Sequence, residues 1–388
     1  MTKSKVVPYT GAEASSEAMR QINPDVVPVY PITPQTPIAQ KFADFVADGA
    51  VDSEMIRVES EHSAMSASVG ASAAGGRAMT ATSSAGLALM WEVLGVASGS
   101  RLPIVMNVVN RALSAPINIH CDHADSMGAR DHAWIQIYSE TGQEAYENTL
   151  LAVRLAESVS LPVMVMQDGF ITSHAVENFR IWDDKAVKKF VGKRKPDKWL
   201  LNIDDPVTMG PLQLFDYYFE TKYQQETAMQ QAKKDYLKIG RELSKITKNT
   251  YKYFEEYKTR DAKAVIVALS STAGTAKAVV DKMRKSGKKV GLIKPILFRP
   301  FPYNELAKAL SKQKAVAVLD RSASFGANPP LYSEILNTLY PLKKKPKLQS
   351  YIFGLGGRDI LESDIEQVFN EMLKGKTTEQ RKYIGLRK

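Results

Sequence analysis

Several stretches carry residue types that could do chemistry. In Tyr30-Pro31-Ile32-Thr33-Pro34-Gln35-Thr36-Pro37, the prolines forbid continued helix or sheet, because each fixes φ and removes a donor. Each also pushes its predecessor toward extended geometry. The run lies between Val26 to Val29, which reads as a strand, and Ile38 to Val46, which reads as an amphipathic helix. Thr33 and Thr36 therefore stand on a stiff loop at the C-terminal end of a strand, where open α/β sheets bind ligands. The alternative is a rigid connection in which Thr36 caps the helix. Glu61 opens a helix directly after a strand, where a carboxylate satisfies free N–H groups and the helix dipole. Glu59 would point to the same side of extended backbone. Arg111 ends an apolar strand, a place where a lone arginine is usually a surface or salt-bridge residue. His120-Cys121-Asp122-His123 with Asp125, Asp131 and His132 offers zinc-ligand types. Its spacing fits no closed-site pattern, so no metal is expected, and the run reads as a polar loop lining a site or an interface. Gly354-Leu355-Gly356-Gly357 lacks the Lys-Ser/Thr of a P-loop and reads as a strand-ending turn.

The elements that must position these residues alternate. Helices are expected at Gly11 to Ile22, Ser60 to Ala74, Gly86 to Ser98 and Ala145 to Ser158. Strands are expected at Met55 to Val58, Ala78 to Thr82, Pro103 to Val109 and Pro162 to Met166, with Arg111 to Asp131 as a long irregular connection. Near-continuous apolar strands between helices predict an α/β fold with a parallel sheet covered on both faces. Asp183 to Lys198 is charged and lacks periodicity. Leu214 to Lys258 reads as one or two long surface helices or a subunit-packing arm. Alternation then resumes, with strands at Ala264 to Leu269, Lys289 to Lys294, Ala315 to Leu319 and Leu348 to Phe353, and helices at Thr272 to Ser286 and Leu331 to Leu339. The expected division is 1–258, with a core of about 1–180 and a charged helical extension over 181–258, followed by a smaller α/β domain over 259–388.

Composition narrows the function classes. At 388 residues two domains are natural, and 44% hydrophobic with 24% charged residues is ordinary for a globular protein. No apolar run approaches the roughly 20 residues of a membrane helix. Met1-Thr2-Lys3-Ser4-Lys5 has no apolar signal core behind it, so the expected location is cytoplasmic. The single cysteine, Cys121, cannot hold an iron–sulfur cluster, which takes about four ligands. The net charge is +10, but the lysines are interleaved with acids as on a solvated helix face. An acidic partner comes second, and no nucleic acid or membrane partner is expected.

Tyr30 to Pro37 is followed in order by Ser60-Glu61-His62-Ser63-Ala64, Thr82-Ser83-Ser84-Ala85-Gly86-Leu87 and Val109-Asn110-Arg111-Ala112. Then come Asp122-His123-Ala124-Asp125-Ser126 with Arg130-Asp131, Trp134-Ile135-Gln136, Asp168-Gly169-Phe170 with Ser173-His174, and Arg299-Pro300-Phe301. The ordered set resembles the alpha subunit of the 2-oxoacid:ferredoxin oxidoreductases over nearly the whole chain, the lysine-rich middle excepted. It looks most like the pyruvate subfamily, with 2-oxoglutarate and branched-chain 2-oxoacids as rival substrates.

The resemblance implies a pyrimidine-type thiamine diphosphate-binding domain followed by a smaller domain like the transketolase C-terminal domain. It implies oxidative decarboxylation of pyruvate with coenzyme A and ferredoxin. It maps the family's catalytic, cofactor-binding glutamate to Glu61. Thiamine chemistry needs a carboxyl group hydrogen-bonded to ring nitrogen N1′ to favour the imino form, and such a carboxyl works best shielded from water. The resemblance further implies that Arg111 binds the substrate carboxylate, which its planar fork matches. It gives Thr33 a catalytic and cofactor-contacting place beside the substrate carboxylate or reacting oxygen. Ala85 stands where the family commonly carries Gln, so any side-chain polar contact there is lost. No Gly-Asp-Gly occurs in the chain. The diphosphate and Mg2+ are therefore expected on a beta subunit and the iron–sulfur clusters on partner subunits, with gamma- and delta-type subunits or their equivalents as further partners. A non-catalytic scaffold subunit is the competing class.

Overall fold

Strand and helix alternate through the computed structural model, which describes residues 3–378 and 381–387. Met1 and Thr2, the start of the N-terminal run quoted above, lie outside the described residues. The chain begins β1 (Ser4–Thr10), α1 (Gly11–Ile22), β2 (Val26–Val29), α2 (Thr36–Ala47), β3 (Glu54–Arg57) and α3 (Glu61–Ala73). It continues β4 (Met79–Thr82), α4 (Ser84–Leu89), α5 (Trp91–Gly99), β5 (Val105–Asn110), α6 (Ala124–Gly128), β6 (Ile135–Tyr138), α7 (Gly142–Val159) and β7 (Val163–Asp168). Next are β8 (Val176–Trp182), α8 (Asp184–Val191), α9 (Tyr218–Thr247) and β9 (Phe254–Tyr257). The last stretch holds β10 (Ala264–Ala268), α10 (Thr272–Lys285), β11 (Val290–Pro295), β12 (Leu297–Arg299), α11 (Tyr303–Leu310) and β13 (Ala315–Asp320). It ends with α12 (Pro330–Leu339), β14 (Lys347–Ile352), α13 (Glu362–Leu373) and β15 (Lys382–Tyr383).

One sheet has the order β12-β6-β7-β5-β4, parallel except for β12. The parallel pair β2-β3 lies beside it, joined by a bridge from Val26 to Ala78 and by the Thr80 hydroxyl donating to the Pro28 carbonyl. The second sheet has the order β15-β14-β13-β10-β11-β9, parallel except for β9. β5 and β7 are buried at every residue, which is why their sequences are apolar without alternation. The expected α/β class is the observed one. β9 joins the second sheet, while β12 crosses back to the first. We propose 1–258 and 259–388 as the two units, with a short strand reaching across in each direction.

Local chemistry explains the helices that frame the site. Thr10 and Glu13 form a capping box on α1, and Ser60 Oγ accepts from Ser63 N at the start of α3. α1 is buried almost all round because Ala and Ser let it nest against α2 and α7.

Several expectations are corrected. Thr36 is the first residue of α2, not its cap; Gln35 holds the cap position without a side-chain bond, because the proline-bound loop enters in helical backbone. The single helix expected from Gly86 to Ser98 is broken at Met90 into α4 and α5. The charged stretch from Asp183 holds α8, whose Val187, Phe190 and Val191 are buried. Leu214 to Lys258 yields one helix and β9. α9 is a long surface helix, as expected, and packs on α7 through buried Met229, Tyr236 and Leu243. Each such buried side chain contributes about 1.5–3 kcal/mol. No helix is long and apolar enough to cross a membrane among the described residues.

Candidate active site

Arg111 directly follows β5, Glu61 opens α3, and Thr33 stands on the loop between β2 and α2. Arg111 follows β5 and is 7% exposed. Its Nη1 donates to the Thr33 carbonyl oxygen at 2.8 Å, and its Nε donates to the Asn118 carbonyl at 2.8 Å. Nη2 makes no hydrogen bond among the described residues, so part of the guanidinium fork is open to a ligand. Thr33 itself is exposed on its proline-bound loop, and Pro34 packs close to Gly169, where an added Cβ would come within 2.9 Å of the ring.

Glu61 is 6% exposed at the start of α3. Its side chain has no hydrogen-bond partner among the described residues. Gly86 of α4 lies against it, and a Cβ on Gly86 would stand 2.6 Å from Glu61 Oε1. Glu59 differs in every respect. It is exposed, and it accepts from Ser63 Oγ at 2.5 Å, the bond that holds its carboxyl below the usual range. A shielded carboxylate with an open valence fits a nitrogen ring donor, and Glu61 is the one that has it.

Glu61 and Arg111 make no hydrogen bond to each other among the described residues. They are linked through α4 and Asp125, to which neither its polar run nor its motif gave a role of its own. Asp125 Oδ2 accepts from Ser84 N at 2.9 Å and from Arg111 N at 3.0 Å. Its Oδ1 accepts from Asn110 Nδ2 at 2.8 Å and from Ser126 N at 2.7 Å. Burial pushes its carboxyl up to about 6, against the hydrogen bonds that lower it.

The second sheet reaches this loop too. Asn118 Nδ2 donates to Gly356 O at 3.0 Å, and Gly356 N to Asp122. Gly357 comes so near His120 that a Cβ would stand 2.2 Å from it. The Gly354 to Gly357 turn, with Gly354, Gly356 and Gly357 at positive φ, therefore seats the 118–122 stretch. His123 Nε2 and Asp168 Oδ1 lie 2.8 Å apart, and Arg321 Nη1 stands 3.4 Å from Asp168 Oδ2. Burial raises the Asp168 carboxyl, but His123 and Arg321 outweigh it and hold it below the usual range. Cys121, His123 and Asp168 have ligand-type atoms within 4.8 Å of one another. The Asp168 charge is already met by Arg321, so the cluster reads as a buried ion pair. Ala85 is exposed, beside the half-exposed Leu89 and Trp91.

A family model described as pyruvate flavodoxin/ferredoxin oxidoreductase, thiamine diphosphate-binding, matches residues 17–240. A second, described as pyruvate:ferredoxin oxidoreductase core domain II, matches residues 262–365. The chain belongs to the pyruvate flavodoxin/ferredoxin oxidoreductase family. Pyruvate synthase subunit PorA of Thermotoga maritima is 56% identical over 384 residues, 98% of each chain. Ketoisovalerate oxidoreductase subunit VorA of Pyrococcus horikoshii is 42% identical over 94% of this chain and 93% of its own. The solved 2-oxoglutarate:ferredoxin oxidoreductase from Magnetococcus marinus superposes with a TM-score of 0.75 at 21% identity. It covers 95% of this chain, which spans only 65% of that one. A split-gene transketolase superposes at 0.58 with 12% identity, over 95% of this chain and 100% of its own. These two likenesses concern the fold, which is of the kind shared by 2-oxoacid oxidoreductases and transketolases. Within this oxidoreductase family, the 17–240 region is the thiamine diphosphate-binding part, and Glu61, Arg111 and Thr33 all lie inside it.

Proposed function

We propose that this chain is the catalytic alpha-type subunit of a multi-subunit pyruvate:ferredoxin oxidoreductase. The reaction converts pyruvate, coenzyme A and oxidised ferredoxin to acetyl-CoA, carbon dioxide and reduced ferredoxin, and runs in reverse as pyruvate synthase. The observation that carries this reading is the 56% identity to a pyruvate synthase subunit over 98% of the chain. The placing of Thr33, Arg111 and a shielded Glu61 at one end of the strands supports a catalytic subunit over a scaffold.

Thiamine diphosphate, when bound, supplies the carbon nucleophile for the 2-oxo carbon. Glu61 holds a proton toward ring nitrogen N1′. Arg111 takes the substrate carboxylate on its open Nη2 edge, as a charge-assisted bond, while Thr33 fixes the guanidinium through its carbonyl and borders the same space. A beta-type partner holds the diphosphate and Mg2+, since the chain has no Gly-Asp-Gly. Partner subunits carry the iron–sulfur clusters, since the one cysteine here, Cys121, stands alone and buried, and gamma- and delta-type chains or their equivalents complete the complex. Half-exposed Leu89, Trp91 and Val96 on α4 and α5 suit a partner packed beside the site. The reading places the complex in the cytoplasm, and gives this chain no metal of its own.

The 42% identity to a ketoisovalerate oxidoreductase subunit keeps branched-chain 2-oxoacids as the second reading. The test is co-purification with partner subunits, then viologen reduction with coenzyme A and a panel of pyruvate, 2-oxoglutarate and 2-oxoisovalerate. The highest kcat/KM is expected with pyruvate. A higher value with 2-oxoisovalerate would move the chain to the second reading.

A further inference from the structure

We propose that Asp125 is a positioning residue for this site, whose one carboxylate fixes Arg111 and the start of α4 against each other. The inference deepens the reading of Arg111 given above and rests on it.

Asp125 is 3% exposed and has no ion-pair partner among the described residues. Its charge is met by neutral donors, and the two on Oδ2 come from different elements: Arg111 N at the end of β5 and Ser84 N at the start of α4. Ser84 is fully buried, with φ of 47°, a region that side-chain-bearing residues enter rarely and hold only where surroundings over-determine it. Its hydroxyl donates to Ala112 O at 2.5 Å. Ser84 and Asp125 thus grip the backbone on both sides of the Arg111 side chain. Two residues beyond Ser84, Gly86 lies on Glu61. One continuous set of contacts therefore runs from Arg111 through Asp125, Ser84 and Gly86 to Glu61.

An Asn in this place would direct an NH2 group at N–H donors, because an amide offers one acceptor atom where the carboxylate offers two. The Arg111 backbone would shift, and displacement on the order of 1 Å can cost about 10²-fold in rate. Because the effect travels through Arg111, it should vanish once the guanidinium is gone.

The experiment is a double-mutant cycle in the assembled complex, using Asp125→Asn, Arg111→Ala and both together. Pyruvate-dependent viologen reduction and size-exclusion profiles are the readouts. Asp125→Asn should raise KM for pyruvate and lower kcat/KM by about 10²-fold, and the double variant should be no worse than Arg111→Ala. Should the double variant lose the product of the two single effects, Asp125 acts apart from Arg111 and the inference falls while the Arg111 reading stands. Should Arg111→Ala alone be normal, the Arg111 reading falls and takes this one with it. If Asp125→Asn does not assemble, the cycle is run with Asp125→Glu, which keeps the carboxylate but moves it; additivity there overturns the proposal equally.

Discussion

Arg111 Nη1 donates to the backbone carbonyl of Thr33 at 2.8 Å, across 78 residues of sequence. The contact ties the end of β5 to the proline-bound loop after β2. It leaves the guanidinium aimed by two carbonyl acceptors, Thr33 and Asn118, and not by a carboxylate that would neutralise it. Arg111→Lys keeps the charge but cannot span both carbonyls and a ligand. Its kcat/KM for pyruvate should fall between those of wild type and Arg111→Ala, with the Ala variant down by roughly 2–5 kcal/mol of transition-state stabilisation. A lysine variant as poor as alanine would show that the fork geometry matters more than the charge.

Gly86 has no Cβ because none fits. One would stand 2.5 Å from Thr82 Oγ1 and 2.6 Å from Glu61 Oε1. Gly86→Ala should therefore cost about 1–3 kcal/mol in stability and lower turnover by displacing Glu61. Gly70, exposed in α3 with nothing within 4 Å of its Cβ position, is the control. There Ala should stabilise by about 0.5–1 kcal/mol, read as a change in Tm. Equal effects at the two positions would contradict the packing described for Glu61.

Asp320 is buried at the C-terminal end of β13 and accepts from Leu331 N and Tyr332 N at 2.8 and 3.1 Å. Burial pushes its carboxyl up to about 7, against those hydrogen bonds. The folded value lies above the unfolded one, about 3.9, so between them the native state binds the extra proton. Its contribution to stability is thus present below the unfolded value and is lost as pH rises toward 7. Relative to Asp320→Asn, which cannot titrate, wild type should lose roughly 1–3 kcal/mol between about pH 5 and pH 8. A constant difference in Tm across that range would mean that Asp320 stays ionised throughout.

How much of this was legible in the sequence depends on how local each signal is. β5 and β7 were readable as apolar runs, and α1 as a small-residue helix, though not its capping box. α8 was not, because its apolar stripe is only Val187, Phe190 and Val191 among lysines. The antiparallel pair β1 and β8 was not legible, because no residue of β1 is buried and β8 buries only Phe179, Ile181 and Trp182 after three exposed residues. Thr33, Glu61 and Arg111 could be named from ordered motifs. Asp125 could not, because its role consists mainly of bonds to backbone groups up to 41 residues away, which leave no mark on residue type. That the Gly354 to Gly357 turn seats the Arg111 loop was equally invisible, since the two meet only in the folded chain.

Turnover of complexes carrying Glu61→Gln, set beside Glu59→Gln, decides whether this chain supplies a catalytic carboxylate or serves as a scaffold. Gln is isosteric but cannot hold the exchangeable proton, so Glu61→Gln should reduce pyruvate-dependent turnover by about 10²–10⁴-fold with assembly intact. Glu59→Gln should leave turnover close to wild type, because Glu59 is exposed and bonded to Ser63. A dead Glu59→Gln beside a healthy Glu61→Gln, or full activity in both, would remove Glu61 from the catalytic role proposed for it.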